Sequence, residues 1–341
     1  MEQVDVSVTV CTFNRAEMLA RALGSLICQE TDGGFSFEIV VVDDGSTDRT
    51  GDVVKKAAAR SQVPVRYVRK EGGGVAAARN TGVAEARGTR IAFFDDDQLA
   101  EKAWLKNLLA VALQAGADCV GGTILLDLPR EQGLRLGRVC REMLGEFIWR
   151  NNPGVYRGNN LPGTGNILIS RQVFDSIGLF DTSLLSGGED YDLVKRMRAA
   201  GYDIWTAPDS VVHHLIPKYR LSLAYFRWVA LRLGASLALM NRKQFGYGRT
   251  LVLCVARIGQ ALLVNVPRLL LAHLRRNKGE ATDCKCLLWR AAGYAHCALH
   301  LLAPEMFAQD GFLGRINFRR ERSAIAQFEG PLRRGPADTG G

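Results

Sequence analysis

Short apolar runs alternate with amphipathic stretches along the first third of the chain. Val6 to Cys11 and Phe37 to Val42 read as strands, the second almost wholly apolar, and Val65 to Val68, Thr89 to Phe94 and Cys119 to Leu126 follow in the same style. Between them fall segments with helical spacing: Ala16 to Cys28, a stretch capped by Thr47 or Asp48 and running to Arg60, Val75 to Arg87, and Lys102 to Ala115. Gly88 is expected to end the third of these. Strand and helix in strict alternation predict an α/β fold with a mostly parallel, doubly wound sheet. In such sheets ligands bind beyond the carboxyl ends of the strands. The polar clusters Thr12-Phe13-Asn14-Arg15, Asp43-Asp44 and Asp95-Asp96-Asp97 each stand at such an end and are expected to converge.

After residue 127 the pattern changes. A loop-rich stretch containing "NNPGVYRGNN" leads to "LPGTGNILIS". "LLSGGEDYDLVKRMRAAG" reads as a helix opened by glycines and acids with Gly201 at its stop, and "YDIWTAPDSVVHH" as a final strand and turn. Beyond Arg220 come apolar helical stretches interrupted by arginines, and residues 326–341 have the composition of a disordered tail.

Charge divides the chain in the same place. From Val211 onward there are 20 Lys and Arg against 7 Asp and Glu, a balance of +13, which leaves −4 for the first 210 residues of a chain whose total is +9. A basic back end favours an anionic partner. No nucleic-acid-binding motif is recognisable, so nucleic acid is not the expected one. The start, "MEQVDVSVTVCTFNR", lacks the basic opening and long apolar core of a signal peptide, and the expectation is a protein kept in the cytoplasm. Eight scattered cysteines suit reduced thiols better than a disulfide framework.

The most demanding stretch is "IAFFDDDQL", where a strand runs directly into three carboxylates. Adjacent acids repel and resist burial unless something positive sits with them. Two carboxylates at i and i+2 around a turn suit a hard divalent cation such as Mg²⁺ or Mn²⁺, which keeps positions open for a diphosphate. An acidic solvated turn is the competing reading.

Taken in order, "TFNR", "DDGSTD", "GVAAARNTG", "DDD", "GTGNILISR" and "GGEDYDL" resemble the family 2 glycosyltransferases of the GT-A fold, over roughly residues 5–220. The resemblance implies a nucleotide-diphospho-sugar donor. It implies that Thr12, Phe13, Asn14 and Arg15 lie at the nucleotide base, that Asp43 contacts the base with Asp44 beside it, and that Arg79 and Asn80 lie next to the nucleotide. Asp95 and Asp97 match the ends of the family's DxD, which bind ribose and metal, with Asp96 between them. Asp190 matches the catalytic base, with Glu189 adjacent. Of His213 and His214, His214 better fits the family's spacing to Pro217 and Arg220 and would complete a metal site. Cys11 stands where many members have proline. The Gln-x-x-Arg-Trp signature of processive synthases is missing, since Arg227-Trp228 lacks its glutamine. The implied reaction is a metal-dependent, inverting, non-processive transfer of one sugar to a saccharide or polyprenyl-linked acceptor, in cell-surface polysaccharide biosynthesis. Two alternatives stand beside it: an inactive homologue that binds nucleotide or glycan, and a sugar-nucleotide pyrophosphorylase, against which the absence of a glycine-rich loop after the first strand counts.

The expected organisation is a GT-A catalytic domain over 1–220, with a nucleotide-sugar half at 1–127 and an acceptor half at 128–220. A basic, apolar helical region follows over 221–325 and a tail over 326–341. Within "LVLCVARIGQALLVNVPRLLLAHL" Arg257 and Arg268 interrupt the apolar run, which favours a segment lying on an anionic membrane surface over one that spans it. A helical packing domain explains the same pattern. The protein is accordingly expected at the cytoplasmic face of the inner membrane. Cys284, Cys286, His296, Cys297 and His300 invite a zinc reading, but a one-residue gap between the first pair and the apolar surroundings favour small buried residues on helices. Phe147, Trp149 and Tyr156 are read as core before acceptor-stacking groups.

Overall fold

The computed structural model describes residues 4–129, 135–149, 152–158, 162–184 and 188–303. Part of "NNPGVYRGNN", the 304–325 end of the helical region and the 326–341 tail fall outside them.

The front of the chain runs β1 (Val6–Thr12), α1 (Ala16–Leu26), β2 (Phe37–Asp43), α2 (Thr50–Arg60), β3 (Val65–Arg69), α3 (Gly74–Glu85), β4 (Arg90–Asp95), β5 (Gln98–Ala100), α4 (Trp104–Ala115) and β6 (Cys119–Asp127). There follow α5 (Arg138–Met143), β7 (Gly154–Val155), β8 (Asn166–Ser170), α6 (Arg171–Ile177), α7 (Glu189–Ala199) and β9 (Ile204–Leu215). The strands form one sheet in the order β3-β2-β1-β4-β8-β6-β9-β5, with β7 on β9. The pairs β3-β2, β2-β1, β1-β4 and β6-β9 are parallel. The sheet is mixed rather than purely parallel because β8 enters antiparallel between β4 and β6. The alternation of the first 127 residues could not show β8, which comes after the loop-rich stretch and carries no crossover helix from β6.

The strands are apolar because both sheet faces are covered. Val6, Val8 and Val10 face α1 and α4 residues such as Leu19, Leu23, Leu105 and Leu108, while Ile91, Phe93, Ile167 and Ile169 face Val173, Leu193 and Met197 across the sheet. Helix α3 stops at Glu85, short of Gly88. Gly88 serves close approach instead, since a Cβ there would sit 2.6 Å from the Ser7 backbone nitrogen. Asp48 does act at helix starts. Its carboxylate accepts from the Thr50 amide of α2 (3.1 Å) and from the Ala16 amide of α1 (3.0 Å), so one side chain anchors two N-termini.

Beyond β9 a 3₁₀ turn (Lys218–Leu221) leads to α8 (Leu223–Gln260), a π-helical turn (Ala261–Asn265), α9 (Val266–Leu274) and α10 (Lys278–His300). Ser222 caps α8 by accepting from the Tyr225 amide (3.2 Å). Helix α8 is two helices joined at Gly246, whose φ of 75° no other residue adopts cheaply. The region docks on the catalytic part through a cluster that joins Cys140 of α5 and Leu144 just after it, Ile216 just after β9, Tyr225, Phe226 and Trp228 of α8, and Cys286 of α10. Cys284, Cys286 and Cys297 are buried on α10, as the packing reading expects, and Cys286 Sγ lies 3.8 Å from Cys140 Sγ. Phe147, Trp149 and Tyr156 stack edge to face with centroids 4.6–6.3 Å apart, and Trp149 donates its indole N–H to the Gly122 carbonyl (2.9 Å).

Candidate active site

Register alone assembles the polar strand ends. Thr12 lies opposite Asp43, Asp43 opposite Arg69, and Cys11 opposite Asp95, so the carboxyl-terminal ends of β1 to β4 meet along one sheet edge. A further contribution arrives through β5, which pairs with β9 so that Gln98 faces His214 and Leu99 faces His213. Successive strand residues point to opposite faces. His214 therefore turns toward Asp97, its Nε2 3.4 Å from Asp97 Oδ2, while His213 turns away to Glu101 (3.1 Å).

The positive charge that balances the three acids is arginine. Arg15 donates to Asp96 (2.6 Å) and to Asp97 (3.1 Å), and Thr12 donates its hydroxyl to Asp96 (2.8 Å). Arg220, buried in the 3₁₀ turn, donates to Asp97 (3.1 Å) and to His214 Nε2 (3.0 Å). Arg79 lies 3.6 Å from Asp95 and donates to Glu189 (2.7 Å). Burial holds the Asp95 and Asp96 carboxyls above the ordinary aspartate range. Burial pushes Asp97 the same way, but His214, Arg15 and Arg220 together outweigh it and hold Asp97 well below that range. Burial also pushes the neighbouring Cys11 thiol up to about 12, so it stays protonated and adds no charge.

The residues of the first two turns hold each other. Asn14, at a positive φ of 52°, accepts from the Thr47 amide (2.8 Å) and donates its own amide to the Ser46 hydroxyl (2.8 Å). Asp43 is 0% exposed and accepts from the Ser46 amide (2.8 Å) and the Tyr67 hydroxyl (2.5 Å), with Arg69 at 3.5 Å. Asp44 accepts from Lys70 (2.7 Å) and the Gly74 amide (2.9 Å). Phe13 projects between these turns with half of its surface exposed. Asn80 bonds the backbone of Phe180 through both ends of its amide (3.0 and 2.9 Å) and so fixes α3 to the loop before α7.

Glu189 and Asp190 open α7 and differ sharply. Glu189 is buried, with one oxygen on Arg79 and the other without a partner. Asp190 is half-buried. Its Oδ1 accepts from the Tyr191 amide (2.7 Å), and among the described residues it has no ion-pair partner. The Gly163-Thr164-Gly165 turn brings Asp190 and Asp95 to a common wall. A Cβ on Gly163 would lie 3.1 Å from Asp190 Oδ2, and one on Gly165 would lie 2.6 Å from both Asp95 Oδ2 and the Gln98 amide nitrogen. Buried acceptors without partners gather here, namely Glu189 Oε2, Gln98 Oε1 and the Thr164 hydroxyl. Sequence reasoning used "GTGN" only as a marker and Arg220 only for spacing. The signal for Arg220 was a lone arginine six residues after His214.

Asp97 and His214 offer a carboxylate oxygen and an imidazole nitrogen side by side. Arg220 can only donate, so the contact with His214 Nε2 is a hydrogen bond in the tautomer that leaves a lone pair on Nε2, which is also the form that binds metal. Among the described residues no group of three His, Cys, Asp or Glu converges on one point. The pair could hold a divalent cation only if water and phosphate oxygens supplied most of its ligands.

Comparison with known proteins points one way. The family model "Glycosyl transferase family 2" matches residues 7–172. The succinoglycan biosynthesis protein ExoM of Rhizobium meliloti is 30% identical over 234 residues, covering 68% of this chain and 72% of that protein. Glycosyltransferase AglE of Haloferax volcanii is 29% identical over 209 residues, covering 61% of this chain and 66% of that protein. Validoxylamine A glucosyltransferase of Streptomyces hygroscopicus is 31% identical, and the match spans 54% of its length. With the exception of ExoM, the chain thus spans about half to two thirds of these relatives. Among solved structures, S. aureus TarS residues 1–349 in complex with UDP-GlcNAc superposes with a TM-score of 0.52 at 17% identity, covering 88% of this chain and 92% of that one. GalNAc-T7 with UDP, GalNAc and Mn²⁺ superposes at 0.50 and 19% identity, covering 67% and 48%. At such identities the two structures speak for the fold.

Proposed function

The chain belongs to glycosyl transferase family 2, a glycosyltransferase of GT-A fold acting in polysaccharide or glycan biosynthesis, and on that premise we propose that it moves a single sugar from a nucleotide-diphospho-sugar to a saccharide or lipid-linked saccharide acceptor with inversion. Membership sets aside the pyrophosphorylase alternative. The observation that carries the reading is Asp190, which among the described residues makes no ion pair and is held against the same glycine turn as Asp95. Its Oδ2 takes the acceptor hydroxyl proton. The acceptor oxygen then bonds to the anomeric carbon as the carbon–diphosphate bond breaks, and the pair of electrons leaves with the nucleoside diphosphate. One base with no second nucleophile beside it supports a single displacement, and hence inversion. Glu189, tied to Arg79, fixes the start of α7 and thereby the direction in which Asp190 points.

On the donor side, Phe13 offers an exposed face to the base. Asp43, Asp44, Asn14 and Arg15 shape the two turns around it, Asp43 by holding its turn rather than by reaching out. Arg79 and Asn80 fix α3 beside the nucleotide, and Asp95 and Asp96 line the diphosphate end. Asp97 and His214, with Asp95 beside them, are the residues that would hold Mn²⁺ or Mg²⁺. Such an ion, when bound, offsets charge on the leaving diphosphate. The missing glutamine before Arg227-Trp228 supports addition of one sugar rather than polymerisation.

We assign 1–220 to catalysis and the helices beyond to the membrane surface. The run from Leu223 to Leu274 is long and apolar enough to cross a membrane by length and composition. Arg257 within it, the break at Gly246 and the packing of α8 on α10 support a surface position instead. Val252, Val255, Leu262, Leu263, Leu270 and Leu274 are well exposed among basic residues, a chemistry that suits the anionic cytoplasmic face. A polyprenyl-diphosphate-linked saccharide is the acceptor that such a surface would present.

The test is a panel of nucleotide-sugars assayed for release of nucleoside diphosphate, with Mn²⁺ or Mg²⁺ and with chelator. One donor should be turned over, and chelation should abolish turnover until metal is restored. Asp97→Asn should weaken donor binding as well as rate. Full activity of Asp97→Asn in chelator overturns the metal assignment, and no release with any donor from folded protein overturns the activity.

A further inference from the structure

The buried side of the second half of α8 is a stripe of Thr250, Cys254, Ala261 and Asn265, and Arg257 stands within it by its spacing. On α10 the residues that cluster with Cys254 are Tyr294 and Cys297, and Arg290 lies one turn before Tyr294. The Arg257 guanidinium sits 4.7 Å from the Tyr294 ring centre. The Nε of Arg257 and the Nε of Arg290 are both buried without a hydrogen-bond partner. Among the described residues neither arginine has a carboxylate at ion-pair distance, and Glu142, the acid whose charge reaches Arg290, is bonded to Arg138 at 2.7 Å. Burial, and then the like charge of Arg257, lower the proton affinity of Arg290.

A buried donor without an acceptor is costly, and two neighbouring cations compound the cost. At the sheet edge Arg15, Arg79 and Arg220 each meet a carboxylate. Between α8 and α10 the cations are present and, among the described residues, no carboxylate is paired with them. A guanidinium fork matches phosphate oxygens. The helix is also wound as a π turn directly after this point, a feature frequent at functional sites. The outward side of the same segment carries the exposed Val252, Val255, Leu262 and Leu263, so a phosphate bearing acyl chains could place its chains on apolar surface.

We propose that Arg257 and Arg290 form a binding site for the phosphate group of a membrane lipid. The phosphate site stands on the two arginines; its lipid source rests on the membrane-surface reading given above. Two arms on the full-length protein separate these. In the first, without membrane, thermal melting is followed in phosphate-free buffer and on titration with inorganic phosphate. The wild type should gain a saturable rise in melting temperature. Arg290→Met should melt higher than wild type in phosphate-free buffer, because an unmatched buried charge is gone, and should gain nothing from phosphate. Arg257→Lys, which keeps the charge but loses the fork, should fold and lose most of the gain. Arg275→Gln, an exposed site nearby, should behave as wild type.

In the second arm, binding is measured to phosphatidylcholine vesicles with and without phosphatidic acid. Arg290→Met should lower affinity for the phosphatidate vesicles more than tenfold, whereas Arg275→Gln should lower it about fivefold or less, the effect of one surface charge. If phosphate stabilises the protein and no vesicle binds it, the anion site stands and the membrane source is overturned. If Arg290→Met melts below wild type with and without phosphate, or if both variants lose vesicle affinity equally, the site itself is overturned.

Discussion

Two parts of this molecule treat buried charge in opposite ways. At the carboxyl edge of the sheet, acids crowd together and arginines are brought to them from three separate segments, at Arg15, Arg79 and Arg220. Between α8 and α10, Arg257 and Arg290 each bury an Nε without an acceptor, and among the described residues neither has a carboxylate at ion-pair distance. Each part has one exception to local neutrality. In the sheet it is Asp190, and in the helices it is the pair Arg257 and Arg290. Neutral pairs stabilise little beyond the cost of burying them, so what they contribute is a fixed arrangement. Unmatched charge persists only where something else meets it, and that is where a reacting proton or a bound anion belongs.

The largest expected effect falls on the exception in the sheet. Asp190→Asn keeps size and shape but cannot accept a proton, so turnover should fall by about 10²–10⁴-fold, the usual share of general-base catalysis. Donor affinity, read by titration calorimetry, should hardly move. Collapse of donor binding with turnover preserved would mean that Asp190 is a binding residue and that the comparison misreads its missing partner.

Next comes a matched charge. Arg79 serves both Asp95 (3.6 Å) and the buried Glu189 (2.7 Å). Arg79→Met leaves a buried carboxylate alone and should cost roughly 3–5 kcal/mol of stability. Adding Glu189→Gln to Arg79→Met should return a good part of that loss, since an amide needs no counter-charge. Urea denaturation of the two variants measures both. If the single variant unfolds like wild type, the arginines are incidental to the acids.

What the sequence made legible follows from range. The strands from β1 to β4 and the helices between them appear within one to three residues of their expected bounds, because a doubly covered strand and an amphipathic helix write their burial into consecutive residues. The acids at 43, 44, 95, 96 and 97 were legible for the same reason, as polar breaks at apolar strand ends. Their partners were not. Arg15 meets Asp96 across 81 residues, Arg79 meets Glu189 across 110, and Arg220 meets Asp97 across 123. The question of what neutralises "DDD" pointed to a metal, and the structure answers first with arginine. Family spacing favoured His214 over His213, and the pairing of β5 with β9 supplies the physical reason by turning the two to opposite faces. The family resemblance set Asn14 and Asn80 beside the nucleotide, and their hydrogen bonds go to the neighbouring turn and to the Phe180 backbone. The unmatched arginines of α8 and α10 stayed hidden because each looks like an ordinary interruption of an apolar run until the other helix is laid against it.

The smallest expected effect is a control on the whole contrast. Arg157 and Asp203 form a bidentate pair at 2.8 and 3.5 Å, geometry comparable to that of the buried pairs, but their side chains are 76% and 45% exposed. Water already solvates both groups, and salt screens what attraction is left. Asp203→Asn should therefore cost only about 0.2–1 kcal/mol, and less at high salt. Arg79→Met is expected to cost several times more although its shortest contact is of similar length. The difference between the two would come from burial, since a charge left alone in water loses little and a charge left alone inside the protein loses its solvation as well. If Asp203→Asn destabilised the protein as much as Arg79→Met, pairing itself would carry the energy wherever it occurs. A charge lacking a partner would then no longer point to a ligand, either at Asp190 or between α8 and α10.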